Sequence, residues 1–156
     1  MSDIDLKVQQ LFDTHLITQL KHVYLNACDQ KDPDTMQSVF TNPCKIDYGQ
    51  VGIFNDPKDL AEVFEEVGCH EYMKESHHAH NPIINFLNNE SALGTWGLTY
   101  TLINTNNQTH TVLQGMYEDE YKKVNEQWKI YKTTFKPSSQ IQLDISEEIL
   151  KVLLVG

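Results

Sequence analysis

Three histidines stand almost together, as His77-His78-Ala79-His80. An imidazole titrates near neutrality, so such a run offers either a general base or metal ligands. On an extended strand His78 and His80 share one face and His77 takes the other. His78 and His80 can chelate one ion if a carboxylate supplies a third ligand. No Cys or Glu completes the set at ligand spacing, so a polar sheet face is the plainer reading and no metal is expected. Cys28, Cys44 and Cys69 are irregularly spaced and form no C-x-x-C pair, which reads as three reduced thiols. Cys28 falls at a helix C-terminus, where the dipole disfavours a thiolate, so a buried, inert thiol is expected there. In Glu118-Asp119-Glu120 strand alternation puts both glutamates on a solvated face and Asp119 on the face of Tyr117 and Tyr121.

Aromatic residues supply candidate walls for a small-molecule cavity: Tyr48, Phe54, Trp96, Tyr100, Tyr117 and Phe135. Trp96 and Tyr100 share a strand face, so both can line one cavity. Tyr24 precedes Asp29 by about one and a half helical turns and can reach the same space. A buried tyrosine hydroxyl needs a partner, which a ligand carbonyl or Asp29 can supply.

Charge narrows the ligand class. The 156 residues carry a formal net charge of -10, and all 12 basic residues are lysines. Nucleic-acid binding requires clustered positive charge. Without arginine there is no planar fork for bidentate grip on phosphate or carboxylate. A nucleotide, nucleic acid or anionic membrane is therefore not expected. The first residues show no basic segment before an apolar run, and no run approaches the ~18 apolar residues of a membrane span. A cytoplasmic protein is the simplest expectation.

The elements that must position these groups change character along the chain. From Leu6 to about Asp29 apolar residues recur at spacings of three and four, predicting a helix, with Gln19, Lys21, His22 and Asn26 on its polar side. Asp32-Pro33 and Asp56-Pro57 each read as N-cap and first helical residue, opening helices over Asp34 to Phe40 and from Pro57 to Gly68. Leu60, Val63, Phe64 and Val67 make the buried stripe of the last of these. Cys44 to Tyr48 reads as a strand. Beyond Ser76 the period shifts towards two, predicting strands over Ser76 to Phe86, Ala92 to Ile103, Thr109 to Lys123 and Gln127 to Lys136. Short turns between long strands imply an antiparallel meander. The expected class is α+β: a curved antiparallel sheet wrapped around N-terminal helices, forming a cone-shaped pocket (a cystatin-like roll). Residues 1–137 form this domain. Residues 138–156 read as an extension, with a helix-like apolar segment from Ser146, that packs on the domain or on a neighbouring subunit.

Three segments carry a family resemblance: Tyr24 to Asp32 running into Met36 and Val39-Phe40, His77 to Ile84, and Gly115 to Lys123 followed by Gln127 to Ile130. Their order and spacing resemble the SnoaL-like branch of the nuclear transport factor 2-like superfamily, which also holds scytalone dehydratase and hexachlorocyclohexane dehydrochlorinase. The resemblance implies that His77 is a general base and Asp29 the carboxylate that orients it and stabilises its charged form. It implies tyrosines, here Tyr24 or Tyr48, at the polar end of a substrate. The sequence departs from those lyases in three places. Thr95 to Leu102 holds no second histidine, Cys28 stands where a tyrosine precedes the aspartate, and arginine is absent.

Two functions are compatible with these residues. One is a cofactor-free lyase or isomerase that abstracts a proton from a small, largely apolar, neutral molecule. The other is a non-catalytic ligand-binding or oligomerisation module of the same fold, as a homodimer or homotrimer.

Overall fold

The computed structural model describes residues 2–146. Caps set the helix boundaries. Helix α1 (Asp3–Gln30) opens with a capping box: the Asp5 N–H donates to Ser2 Oγ at 3.1 Å and the Ser2 N–H to Asp5 Oδ2 at 2.9 Å. It ends at Lys31, a non-glycine residue in the left-handed region (φ 58°), from which the chain turns sharply. Asp32 caps α2 (Pro33–Ser38) by accepting from the Thr35 N–H, and Asp56 caps α3 (Pro57–Val67) by accepting from the Lys58 N–H. Gly68 closes α3, as its position predicts.

The strands are β1 (Phe40–Asp47), β2 (Ile53–Phe54), β3 (Met73–Asn88), β4 (Ser91–Asn104), β5 (Thr109–Val124) and β6 (Gln127–Asp144). They form one sheet in the order β2-β1-β6-β5-β4-β3. The meander expected from the short turns covers β3 to β6, all antiparallel. β1 then joins parallel to β6, a pairing that no local pattern announces. Bulges interrupt the ladders at His80/Ile83, Gln114/Gly115 and Glu120/Tyr121. Each bends its strand, and together they curl the sheet over α1, whose C-terminal half presents buried Ile17, Tyr24, Leu25, Ala27 and Cys28.

Several features differ from the sequence reading, among them the end of α2 at Ser38 and the start of β3 at Met73. β1 begins at Phe40, four residues before the expected start and at the expected end of the preceding helix, because Phe40 pairs with Ile130 of β6. β6 runs on to Asp144, so residues 138–144 continue a strand paired with β5. Lys21, placed by helical periodicity on a polar face, is completely buried. The helix-like segment expected after Ser146 lies outside the described residues. Near its start α1 leaves Ile4, Val8, Leu11 and Phe12 exposed. No helix among the described residues is long and apolar enough to cross a membrane.

Candidate active site

The cone holds a half-open cavity of about 350 Å³, towards the small end of ligand sites. α3 forms one side with Leu60, Val63, Phe64 and Val67, the stripe that its sequence announces. Leu98, Leu113 and Phe135 add apolar wall from the sheet. Phe135 can lie flat there because Gly115, beside it on β5, has no side chain: a Cβ on Gly115 would meet the Phe135 ring and the Lys136 carbonyl. The polar lining consists of Tyr24, Tyr48, Tyr100, Tyr117, Cys28, Glu75 and His77.

The end of α1 and the start of β3 bring Asp29 and His77 together. His77 Nδ1 lies 2.6 Å from Asp29 Oδ1, and the His77 backbone N–H donates to Asp29 Oδ2 at 3.0 Å. A carboxylate can only accept, so Nδ1 carries the proton shared with Asp29, and in the neutral ring the lone pair is then on Nε2. His77 is part of the cavity lining, whereas Asp29, the more exposed of the two at 25%, lies outside it. Across the β3–β4 ladder His77 faces Tyr100, their ring centres 4.6 Å apart. His78 and His80 are exposed, as alternation predicts; His78 Nε2 bonds to Ser76 Oγ at 2.8 Å and His80 Nε2 to Thr99 Oγ1 at 3.2 Å.

On another part of the wall the hydroxyls of Tyr24 and Tyr48 meet at 2.8 Å. Tyr48 donates to Tyr24, and the remaining O–H, on Tyr24, faces the Cys28 sulfur, a weak acceptor that a ligand oxygen can displace. Burial raises both hydroxyls well above the ordinary tyrosine range, so they stay protonated donors. Cys28 lies beside them, its thiol pushed up to about 12 by burial. That favours the inert reading of this cysteine over a nucleophilic one.

Of the aromatic residues proposed as walls, Tyr24, Tyr48, Tyr100, Tyr117 and Phe135 line the cavity, whereas Trp96 and Phe54 do not. Trp96 is 1% exposed and its indole N–H donates to the Tyr121 hydroxyl at 2.9 Å. It shares a strand face with Tyr100, but the sheet curves between them, so one face serves both core and cavity. Phe54 is buried on the short β2, its ring packed against Gly52.

Sequence reasoning missed Glu75 and Lys31. Glu75 Oε1 accepts from the Tyr100 hydroxyl at 2.7 Å, and Oε2 accepts from Lys31 Nζ at 3.0 Å. Glu75 was missed because the expected strand began at Ser76; β3 starts at Met73, so Glu75, two residues before His77, shares its strand face. Nothing local marks Lys31; the left-handed turn after α1 brings its ammonium to β3. Lys21 also escaped notice. Its ammonium lies 3.5 Å from the centre of the Tyr117 ring, behind the cavity wall, and 2.9 Å from Asp119.

Comparison with known proteins places this architecture. The chain aligns over about nine-tenths of its length with a scytalone dehydratase-like protein of Novosphingobium aromaticivorans (20% identity, 88% of this chain and 91% of the other, TM-score 0.79). A hexachlorocyclohexane dehydrochlorinase from Novosphingobium barchaimii is similar over 94% of this chain and 98% of its own (15% identity, TM-score 0.79). A protein with a cystatin-like fold from Nostoc punctiforme covers 81% and 92% (18% identity, TM-score 0.67). At these identities the likeness is one of fold. The sequence itself matches the SnoaL-like domain over residues 9–134, and the chain therefore belongs to the SnoaL-like family.

Proposed function

We propose that the cavity binds a small, largely apolar, neutral carbonyl compound and that His77 abstracts a proton from its α-carbon, making the protein a lyase or isomerase whose chemistry needs no cofactor. The observation that carries this reading is the 2.6 Å contact between His77 Nδ1 and Asp29 Oδ1 with the histidine in the cavity wall. Nε2 takes the proton as the C–H bond breaks, and the released electron pair moves onto the carbonyl oxygen. The spare O–H of the Tyr24–Tyr48 pair donates to that oxygen as charge develops. Asp29 stabilises the imidazolium that forms. The enolate then collapses either by expelling a β-substituent, which leaves with its electron pair and takes the imidazolium proton, or by reprotonation at another carbon. The three thiols suit a reducing, cytoplasmic setting. The exposed Ile4, Val8, Leu11 and Phe12 favour a homodimer or homotrimer and are the observation behind a second reading, an assembly module that keeps the pocket without turnover.

Proton abstraction is testable without knowing the leaving group. The full chain is incubated in D2O with a set of cyclic ketones, 1-tetralone and cyclohexanone among them, and α-deuteration is followed by NMR. Exchange above the buffer rate is expected, falling by about 10²–10⁴ in His77→Gln with the circular dichroism unchanged. Exchange equal to buffer across the set, or equal in wild type and His77→Gln, overturns the catalytic reading and leaves the assembly module.

A further inference from the structure

Lys31, Glu75 and Tyr100 form a connected chain of polar groups beside the His77 ring, and the proton-abstraction step described above uses none of them. The direction of each hydrogen bond fixes what the chain offers to a ligand. Tyr100 donates its only proton to Glu75 Oε1 at 2.7 Å. Lys31 Nζ donates to Glu75 Oε2 at 3.0 Å and to the Gly68 carbonyl at 2.9 Å, tying together the end of α1, the end of α3 and β3. The Glu75 side chain is 8% exposed, and the nearby ammonium matches its charge. Burial and the adjacent carboxylate both push the Tyr100 hydroxyl above the ordinary tyrosine range, so it keeps the proton that it gives to Glu75.

What remains unspent on this wall is lone pairs: those of Tyr100 Oη and the free acceptor capacity of the carboxylate. A carbonyl, ether or halogen placed here sets lone pairs against lone pairs. A hydroxyl fits. The Tyr24–Tyr48 pair offers the reverse, a spare donor, so the cavity has one donor region and one acceptor region, with His77 beside the acceptor.

We infer that the ligand of this cavity carries a neutral hydroxyl group next to His77, and that Tyr100 and Glu75 are the residues that select for it. The inference deepens the proposed function and rests on the cavity being a ligand site: it narrows the substrate class to hydroxylated carbonyl compounds. Glu75 acts through Tyr100 as well as directly, because it decides which way the Tyr100 proton points.

The test is a binding comparison on the full chain at neutral pH, using 2-naphthol, 2-methylnaphthalene and 2-methoxynaphthalene, which share one ring system and differ in donor and acceptor. Wild type is expected to prefer 2-naphthol over 2-methylnaphthalene by about tenfold, the worth of one buried hydrogen bond. Tyr100→Phe, which leaves the Glu75–Lys31 pair in place, should lower that ratio. In Glu75→Gln the neutral amide no longer compels Tyr100 to donate. Its proton can turn to the ligand, and 2-methoxynaphthalene should gain on 2-naphthol, a reversal that loss of packing would not produce. Equal ratios in wild type and Tyr100→Phe overturn the inference while binding of the probes leaves the proposed function standing. Failure of all three probes to bind overturns both. Ketone exchange that fails while the naphthol preference holds removes the catalytic step alone.

Discussion

Helix α1 contributes to polar clusters of two kinds. Around Lys21 and Asp119 both side chains are 0% exposed. Asp119 Oδ2 accepts from Lys21 at 2.9 Å and from the Tyr121 hydroxyl at 2.7 Å, Oδ1 accepts from Thr133 at 2.6 Å, and Trp96 completes the group by donating to Tyr121. Nearer the helix start, Asp13 is satisfied by Trp128 at 2.8 Å, Lys123 at 3.0 Å and Gln9 at 3.2 Å. None of these groups lines the cavity. Around Asp29 and Glu75 the residue types are similar, but His77 Nε2 and the Tyr100 oxygen keep unspent hydrogen-bonding capacity beside a void. Burial alone therefore does not mark a site in this protein. The enclosed clusters pair each buried charge with an opposite charge and hold the sheet to the helix; the open ones leave acceptor capacity facing the cavity.

This contrast predicts opposite costs. The largest effect should come from Lys21→Met, which leaves the Asp119 charge enclosed and unmatched. Urea denaturation should show a loss of about 3–5 kcal/mol. A loss below 1 kcal/mol would mean that Asp119 finds water or a proton, and that the cluster is less closed than its geometry shows.

Asp13→Asn should cost about 1–3 kcal/mol at neutral pH by disturbing the bonds to Trp128 and Lys123. Its pH dependence sharpens the comparison. Burial is the largest single influence on Asp13 and raises its pKa, but the bonds from Trp128, Lys123 and Gln9 together outweigh it and hold the carboxyl below its ordinary 3.8. A carboxyl depressed in the folded state contributes stability that is complete above its unfolded value and is lost as pH falls through the folded one. The stability gap between wild type and Asp13→Asn should therefore be constant above about pH 5 and close below pH 4. A gap that does not change between pH 6 and pH 3 would refute the assignment.

Asp29→Asn should have the smallest effect on stability, about 1 kcal/mol or less, because the amide oxygen can still accept the His77 backbone N–H and water reaches the site. Thermal melts would check this. The same variant should lose ketone exchange, since Asn no longer favours the imidazolium. If it instead destabilises as much as Lys21→Met, Asp29 belongs with the enclosed clusters.

The two kinds of cluster were not equally legible. Asp29 and His77 were singled out through a resemblance of their segments to the SnoaL-like family, and the fold brings the two side chains together; Asp119 was placed correctly on the face of Tyr117 and Tyr121. Lys21 was misread because a helical wheel ranks positions only by neighbours on the same helix. Its partner Asp119 lies on β5 and becomes adjacent only when the sheet curls. Trp96 was assigned to the cavity by a correct face and a wrong depth, since alternation says which side of a strand a residue occupies and nothing about where curvature opens a void.

By itself the sequence determined the local structure: the caps at Asp32 and Asp56, the stop at Gly68, the apolar stripe of α3 and the alternation of four long strands. These rest on interactions within a few residues, where backbone sterics and hydrogen-bond demand act alone. Only the tertiary structure decided the parallel joining of β1 to β6, the burial of Lys21 and the Lys31–Glu75–Tyr100 chain. Each depends on bulges, on a left-handed turn and on partners brought close by the folded sheet, and the energy of a charge or a hydroxyl is set by those partners.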